Sequence, residues 1–236
     1  FHNLEKRVLA LREKERYYFW TLGPSTLHAV VQVIGTVAFL PRMRHESISG
    51  WDRRTFVDYG LTGLGPAVYS GIFVGYLMAD FFFLGPKKLG TAYVFHHLSA
   101  SAAWTLSLVL DVFQYPGQLL QFCEFSTIFM NLRQLFLTAG YDSSSAQVVG
   151  SSLAFLASFA VVRVWPLFPL LYKWTTVDFA IIRDEVGLWA ALSYTAFLAA
   201  HTALQGMWFR IMLNKLIGKF FGGDKKEEKE KKETLE

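Results

Sequence analysis

The fold is decided by residues 92–110, AYVFHHLSASAAWTLSLVL, a run that contains no Asp, Glu, Lys or Arg. A helix of about 20 mostly apolar residues spans the hydrocarbon core of a bilayer. His96 and His97 lie near the start of this run, where an ionised side chain costs roughly 3 kcal/mol or more. Because such residues are rare inside a membrane and often functional, the run predicts a membrane helix that faces a polar interior.

Other long apolar runs extend this prediction to the whole chain. Of its 236 residues, 53% are hydrophobic and 18% are charged, whereas a soluble domain carries about 25% charged residues. The predicted spans are residues 22–40, 61–84, 92–110, 118–139, 148–171 and 188–213. The predicted fold class is therefore all-α, an integral membrane bundle of about six transmembrane helices with an N-terminal interfacial helix.

The two ends of the chain differ in composition from its centre. Residues 1–20 form a predicted amphipathic interfacial segment, residues 21–221 the predicted transmembrane domain, and residues 222–236 a charged tail that we expect to be mobile. With six spans, most of the 23 Lys and Arg residues fall on the side of the two termini. The positive-inside rule places this side in the cytosol, or in the matrix or stroma of an organelle.

The basic excess suits an anionic membrane face, and the sequence contains no nucleic-acid-binding motif. We therefore expect membrane lipids as partners and no nucleic acid. The single cysteine, Cys123, excludes an intrachain disulfide.

Polar residues in different predicted spans lie at comparable depths. With a rise of about 1.5 Å per residue, one layer on the basic side contains Asp80, His96, His97, Asn131 and Arg133. A second layer contains Glu124 and Arg163, and His201 lies near the middle of the last span. Two pairings follow: Glu124 with Arg163, and Asp80 with Arg133 or a protonated histidine.

We interpret these residues as a polar cavity in the bundle. Its predicted lining is Asp80, Glu124, Asn131, Arg133, Arg163 and His201, with His96 and His97 as catalytic residues if the protein is an enzyme. The alternative interpretation is that the same side chains only hold the helices together.

The histidine pair does not indicate a metal site. Neighbouring residues on a helix point about 100° apart, and no cysteine cluster or convenient third histidine supplies more ligands. We expect no metal and no cofactor. One histidine facing a cavity as a base or nucleophile, with the other held by a hydrogen bond, is the functional interpretation; packing is the alternative.

These motifs resemble those of the TLC domain family over about residues 25–220. The similar segments are Gly75-Tyr76-Leu77 with Asp80, Phe95-His96-His97-Leu98, Glu124-Phe125-Ser126-Thr127, Asn131-Leu132-Arg133, Arg163 before Pro166, and the last span with Trp208 and Asn214. The family includes ceramide synthases, which join an acyl-CoA to a sphingoid base, and members linked to membrane lipid composition. The resemblance implies the endoplasmic reticulum; an organelle membrane such as the mitochondrial inner membrane is the alternative.

The chain departs from the ceramide synthase pattern at one point. In those enzymes the histidine pair is catalytic and is followed by two aspartates. The corresponding positions, near Gly117 and Leu120, are not acidic here, and the acid that lies between His97 and Glu124 is Asp111.

The sequence is compatible with three functions. The leading hypothesis is a protein that binds or handles a membrane lipid in a cavity between its helices. The second is an N-acyltransferase that uses acyl-CoA as a substrate. The third is a non-enzymatic accessory subunit of a larger complex with other membrane proteins as partners.

Overall fold

The computed structural model describes residues 5, 8–9, 13–43, 66–84, 90–110 and 112–221. This part of the chain contains helices and no strand, which confirms the all-α prediction for it. Much of the predicted interfacial segment 1–20, Asp111 and the predicted tail 222–236 lie outside the described residues.

The helices are α1 Glu13–Met43, α2 Pro66–Leu84, α3 Thr91–Leu110, α4 Gln114–Gln121, α5 Glu124–Thr138, α6 Ala146–Phe159, α7 Leu167–Lys173, α8 Phe179–Glu185 and α9 Leu188–Phe221. Two π-helical segments, π1 Ala160–Val164 and π2 Trp174–Asp178, lie between α6 and α7 and between α7 and α8. Helix α1 runs past residue 20 without a break.

The long helices pack in a closed ring. Helix α1 contacts α2, α2 contacts α3, and α3 contacts α9; α9 contacts α6 and π1, α6 contacts α5, and α5 returns to α1. The short helix α4 packs against α1, α2 and α3. A cluster of buried apolar residues joins α2, α3, α4, α7 and α9, and includes Phe73, Trp104, Leu120, Leu170 and Tyr194.

The predicted fourth span, residues 118–139, is wrong as a single helix. A turn at Phe122 and Cys123 separates α4 from α5, and hydrogen bonds between residues three apart, such as Cys123 N to Leu120 O at 3.1 Å, tighten the chain there. The turn lets Gln118 and Gln121 bond to Ser70 on α2 while side chains after it bond to Arg163 of π1.

The predicted fifth span, residues 148–171, is too short. Ser145 caps α6 by accepting a hydrogen bond from Val148 N, and the helical run then continues to Glu185, past Pro166. The two π-helical segments accommodate the irregular hydrogen bonding, and Trp165 N bonds to Ala160 O five residues earlier at 2.9 Å. Gly187, with φ of 121°, forms the turn to α9, a conformation that favours glycine.

One continuous helical run within the described residues, Ala146–Glu185, is long and apolar enough to cross a membrane, and Ala67–Phe83 is a shorter apolar helix. Length and composition alone therefore do not establish six crossings.

Close helix approach occurs at Gly35 and not at Gly71 and Gly75, although the four-residue spacing of that pair permits it. A Cβ at Gly35 would overlap the ring of Tyr69, so α1 and α2 meet there through the missing side chain. Gly71 and Gly75 are exposed, and no described atom lies within 4 Å of the point where either Cβ would be.

Candidate functional site

His97 is held by hydrogen bonds at both ring nitrogens. Nδ1 lies 3.1 Å from the carbonyl oxygen of Tyr93 and donates to it, because a carbonyl only accepts. Nε2 lies 3.0 Å from Oδ2 of Asp80, and the Tyr93 hydroxyl donates to the same oxygen at 2.9 Å. His97 and Asp80 are buried. His97 therefore cannot take a proton from a substrate without losing one of these bonds.

His96 points elsewhere. It lines a cavity between α3 and α9 together with His201, and the two imidazole rings are 6.4 Å apart. Trp208 packs edge-on against His96 at 5.3 Å. Among the described residues, the ring nitrogens of His96 make no hydrogen bond. The histidine that faces the cavity is thus the one with uncommitted nitrogens.

The cavity has a volume of about 30 Å³, which is room for about two water molecules. It is lined by His96, Ser99, Ala100, Ala103, Trp104, Ser107, Phe113, Leu120, Tyr194, Phe197, Leu198 and His201. The histidines lie at one end. The other end contains the hydroxyls of Ser107 and Tyr194, which are hydrogen-bonded to each other at 3.2 Å.

The backbone of Phe113 has an unusual conformation at the end of this cavity that contains Tyr194. Its φ of 66° is in the left-handed region, which a bulky side chain rarely adopts. Its ring stacks on Tyr194 at 5.0 Å. The stacking and burial offset a backbone strain of about 1–3 kcal/mol.

Arg163 forms a second polar centre, next to the cavity. Its Nε donates to Ser126 Oγ at 2.7 Å and its Nη2 to Thr127 Oγ1 at 3.0 Å. Nη2 also lies 3.9 Å from Glu124 Oε1, the pairing that depth comparison predicts. Arg163 belongs to π1 and lies within electrostatic range of His96 and His201.

Asn131 and Arg133 are not part of either centre. The amide of Asn131 donates to Ser25 and Thr26 on α1, at 3.0 and 3.1 Å, and Arg133 donates to Ser152 on α6 at 3.0 Å. Asp80 thus pairs with His97, and not with Arg133. His201 is on the cavity, where its Nε2 lies 3.4 Å from the amide nitrogen of Gln205.

Sequence reasoning missed a buried amide cluster on α1, α2 and α4. Gln118 and Gln121 both donate to Ser70 Oγ, at 3.3 and 3.0 Å, and Gln32 donates to the carbonyl of Tyr69 at 3.1 Å. The three glutamines are fully buried. Gln118 and Gln121 are three residues apart and share a helix face, which is the signal that could have indicated the cluster.

An ion pair with a fully buried carboxylate was also missed. Lys173 Nζ lies 2.9 Å from Oδ1 of the fully buried Asp178, a residue of π2. Asp178 lies beyond the predicted end of the fifth span, at a position expected in a loop.

The chain is similar to known proteins over much of its length. It is 32% identical over 116 residues to TLC domain-containing protein 4-B of Xenopus laevis, an alignment that covers 49% of this chain and 43% of that protein. The chain thus matches less than half of that relative's length. No solved structure matches it. The TLC domain family model matches residues 19–214, which include both polar centres and the cavity, and the chain therefore belongs to the TLC domain family.

Proposed function

We propose that this chain, which belongs to a family of membrane proteins, crosses the membrane several times and binds a membrane lipid in the cavity between α3 and α9. The observation that carries the proposal is the convergence of His96 and His201 from two helices on one cavity. Small, aromatic and aliphatic side chains form most of the remaining wall. Such a site offers a polar end for a head group and an apolar wall for a chain.

Outward-facing apolar stripes support several membrane crossings. On α1 the exposed Leu27, Ile34 and Val37 recur at helical spacing. Along π1 and α7 the exposed Val161, Trp165, Phe168 and Tyr172 do the same, with 64–72% of each side chain accessible. Large contiguous apolar surfaces are rare on soluble monomers and mark contact with lipid or a partner.

The cavity size defines how a lipid enters. A volume of about 30 Å³ holds a small polar group but not an alkyl chain. Binding of a chain therefore requires side chains of α3 and α9 to move apart. Ala100 and Ala103 lie on the wall. Because their side chains are small, an entering alkyl chain has little to displace there.

A cavity-filling variant tests lipid binding. Ala103→Phe places a ring in the cavity, whereas Ala102→Phe adds the same ring at a neighbouring exposed position. Each protein is purified in mild detergent, and bound lipid is quantified by native mass spectrometry. We expect wild type and Ala102→Phe to retain one lipid class, and Ala103→Phe to lose at least about tenfold of its occupancy, since the added ring fills the space that the lipid would enter and displacing it costs about 1–3 kcal/mol. Equal lipid retention in all three proteins would contradict the proposal.

Acyl transfer is the second candidate, and one observation favours it. His96 has uncommitted ring nitrogens beside a cavity, which a general base or nucleophile requires. Gly117 and Leu120, where related synthases have acids, are buried and apolar. Transfer from an acyl-CoA to a long-chain amine, abolished by His96→Ala, would support the enzyme. No turnover by wild type would exclude it for the isolated chain.

A further inference from the structure

We infer that the ligand of this cavity is a fatty acid that carries a second oxygen in mid-chain, with its carboxyl group at His96 and His201 and the second oxygen at Trp104. The inference rests on the proposed lipid-binding function and specifies the class of lipid. It follows from the polar groups at the two ends of the cavity.

Trp104, on the cavity wall, carries an unpaired donor, and its Nε1 lies 3.7 Å from the point where a Cβ of Gly117 would be. The residue is 7% exposed and lines the cavity, and its Nε1–H has no hydrogen-bond partner among the described residues. An indole nitrogen only donates, so the partner it lacks is an acceptor. Leaving such a donor buried and unpaired costs about 1–3 kcal/mol, which an acceptor oxygen on a bound chain would offset.

The neighbouring hydroxyls do not fill this role. Ser107 Oγ donates to the carbonyl of Ala103 at 3.0 Å, and the Tyr194 hydroxyl lies 3.2 Å from Ser107 Oγ. The two hydroxyls are thus satisfied by each other and by the backbone. They add polarity to this end of the cavity and leave Trp104 as its unpaired donor.

The end of the cavity at His96 and His201 favours a ligand with a carboxyl group over one with an amine. The ring nitrogens of His96 are uncommitted. The Gln205 amide donates to Nε2 of His201, so the proton of the His201 ring is on Nδ1 and can be donated to a ligand. None of the described lining residues is an acid. The buried carboxylates nearby are already engaged, Asp80 with His97 and Glu124 with Arg163.

A cationic amine would therefore be buried without a counter-charge, which is unfavourable. A carboxylate would accept hydrogen bonds from the N–H groups of the two imidazoles.

The spacing of the two ends sets the position of the second oxygen. His96 and Trp104 are eight residues apart on α3, which is about 12 Å along the helix axis. Ala100, Ala103 and Leu198 lie on the wall of the same cavity. A chain with its carboxyl group at His96 therefore reaches Trp104 near its middle.

The test compares oleate with ricinoleate, which differs from oleate by one mid-chain hydroxyl. Binding of each to the full chain in mild detergent is measured by titration calorimetry. We expect ricinoleate to bind wild type about tenfold more tightly, the value of one hydrogen bond of roughly 1.4 kcal/mol. Trp104→Phe keeps an aromatic side chain and removes the N–H, so the ratio of ricinoleate affinity to oleate affinity should fall to about one. The exposed Trp165→Phe is the matched control and should keep the preference.

A ligand change provides the same test without a variant. Ricinoleate methylated at its hydroxyl still accepts but cannot donate, and it should still bind more tightly than oleate because Trp104 supplies the donor. Equal affinity for oleate and ricinoleate, or a preference that survives Trp104→Phe, would overturn the inference and leave lipid binding intact. Tighter binding of oleylamine than of oleate would also overturn it. If none of these lipids binds, the proposed lipid-binding function is overturned as well.

Discussion

At the residue scale, Asp80 and His97 lie where neither would be stable as a charge alone. They are 5% and 3% exposed, and their 3.0 Å contact is supported by the Tyr93 hydroxyl and carbonyl. Each group thus satisfies the other, and the pair orients the first half of α3.

We expect Asp80→Ala to lower the free energy of unfolding by about 3–5 kcal/mol, because it leaves His97 buried without its partner. The measurement is equilibrium unfolding by denaturant in mixed micelles. His97→Ala should cost a similar amount, and the double variant little more than either single change. Asp184→Ala, at an exposed pair with Arg183, is the control and should leave stability unchanged. Additive losses at Asp80 and His97 would contradict the coupling.

Depth along the helices predicted the contact of Glu124 with Arg163 but not those of Asn131 and Arg133. Depth specifies a layer, whereas rotation of each helix about its axis decides which partners meet within that layer. Asn131 and Arg133 are two residues apart on α5 and so face different neighbours, α1 and α6. That rotation depends on packing around the whole ring, which no single segment contains.

At the element scale, a proline explains a hydrogen bond of the lone cysteine. Pro166 has no N–H for the carbonyl of Val162, four residues earlier. That carbonyl accepts instead from Cys123 Sγ at 3.1 Å. The turn between α4 and α5 is in this way attached to the irregular part of the long run, next to Arg163.

We expect Cys123→Ala to destabilise the protein by about 1–2 kcal/mol, since it removes the hydrogen bond to the carbonyl of Val162. Cys123→Ala should cost less in a Pro166→Ala background, because residue 166 then has an N–H that can donate to the carbonyl of Val162. Thermal unfolding of the four proteins in detergent gives the coupling. Cys123→Ser, which retains a donor, is the matched control and should cost less than Cys123→Ala. An identical cost of Cys123→Ala with and without Pro166 would contradict this account.

The apolar pattern predicted most helices but not the break within residues 118–139. A hydropathy pattern depends on how many apolar residues a segment contains, and residues 118–139 contain enough to form one helix. The break at Phe122 and Cys123 arises because side chains on its two sides bond to different helices, α2 and π1. The same limit applies to Asp178, whose burial comes from the helix continuing beyond the predicted end.

At the scale of the whole molecule, the ring of contacts implies a direction for each long helix. Successive long helices along the chain alternate in direction if each crosses the bilayer, and every pair of neighbours in the ring is then antiparallel. The turn between α5 and α6 would then lie on the side of the C-terminal end of α9, and the end of α8 on the opposite side. The distribution of Lys and Arg independently predicts the same sides.

Single-cysteine labelling tests this arrangement. We expect Ser144→Cys, between α5 and α6, and Lys215→Cys, near the end of α9, to react with a membrane-impermeant maleimide from the same side. Asp184→Cys, at the end of α8, should react only from the other side. All three positions are exposed, so accessibility does not limit the reaction, and the buried Cys123 of the parent chain gives the unlabelled background. Sealed vesicles labelled before and after permeabilisation separate the two faces. Labelling of Ser144→Cys and Asp184→Cys from one side would mean that the run Ala146–Glu185 does not cross the membrane, and the cavity between α3 and α9 would then need another route to lipid.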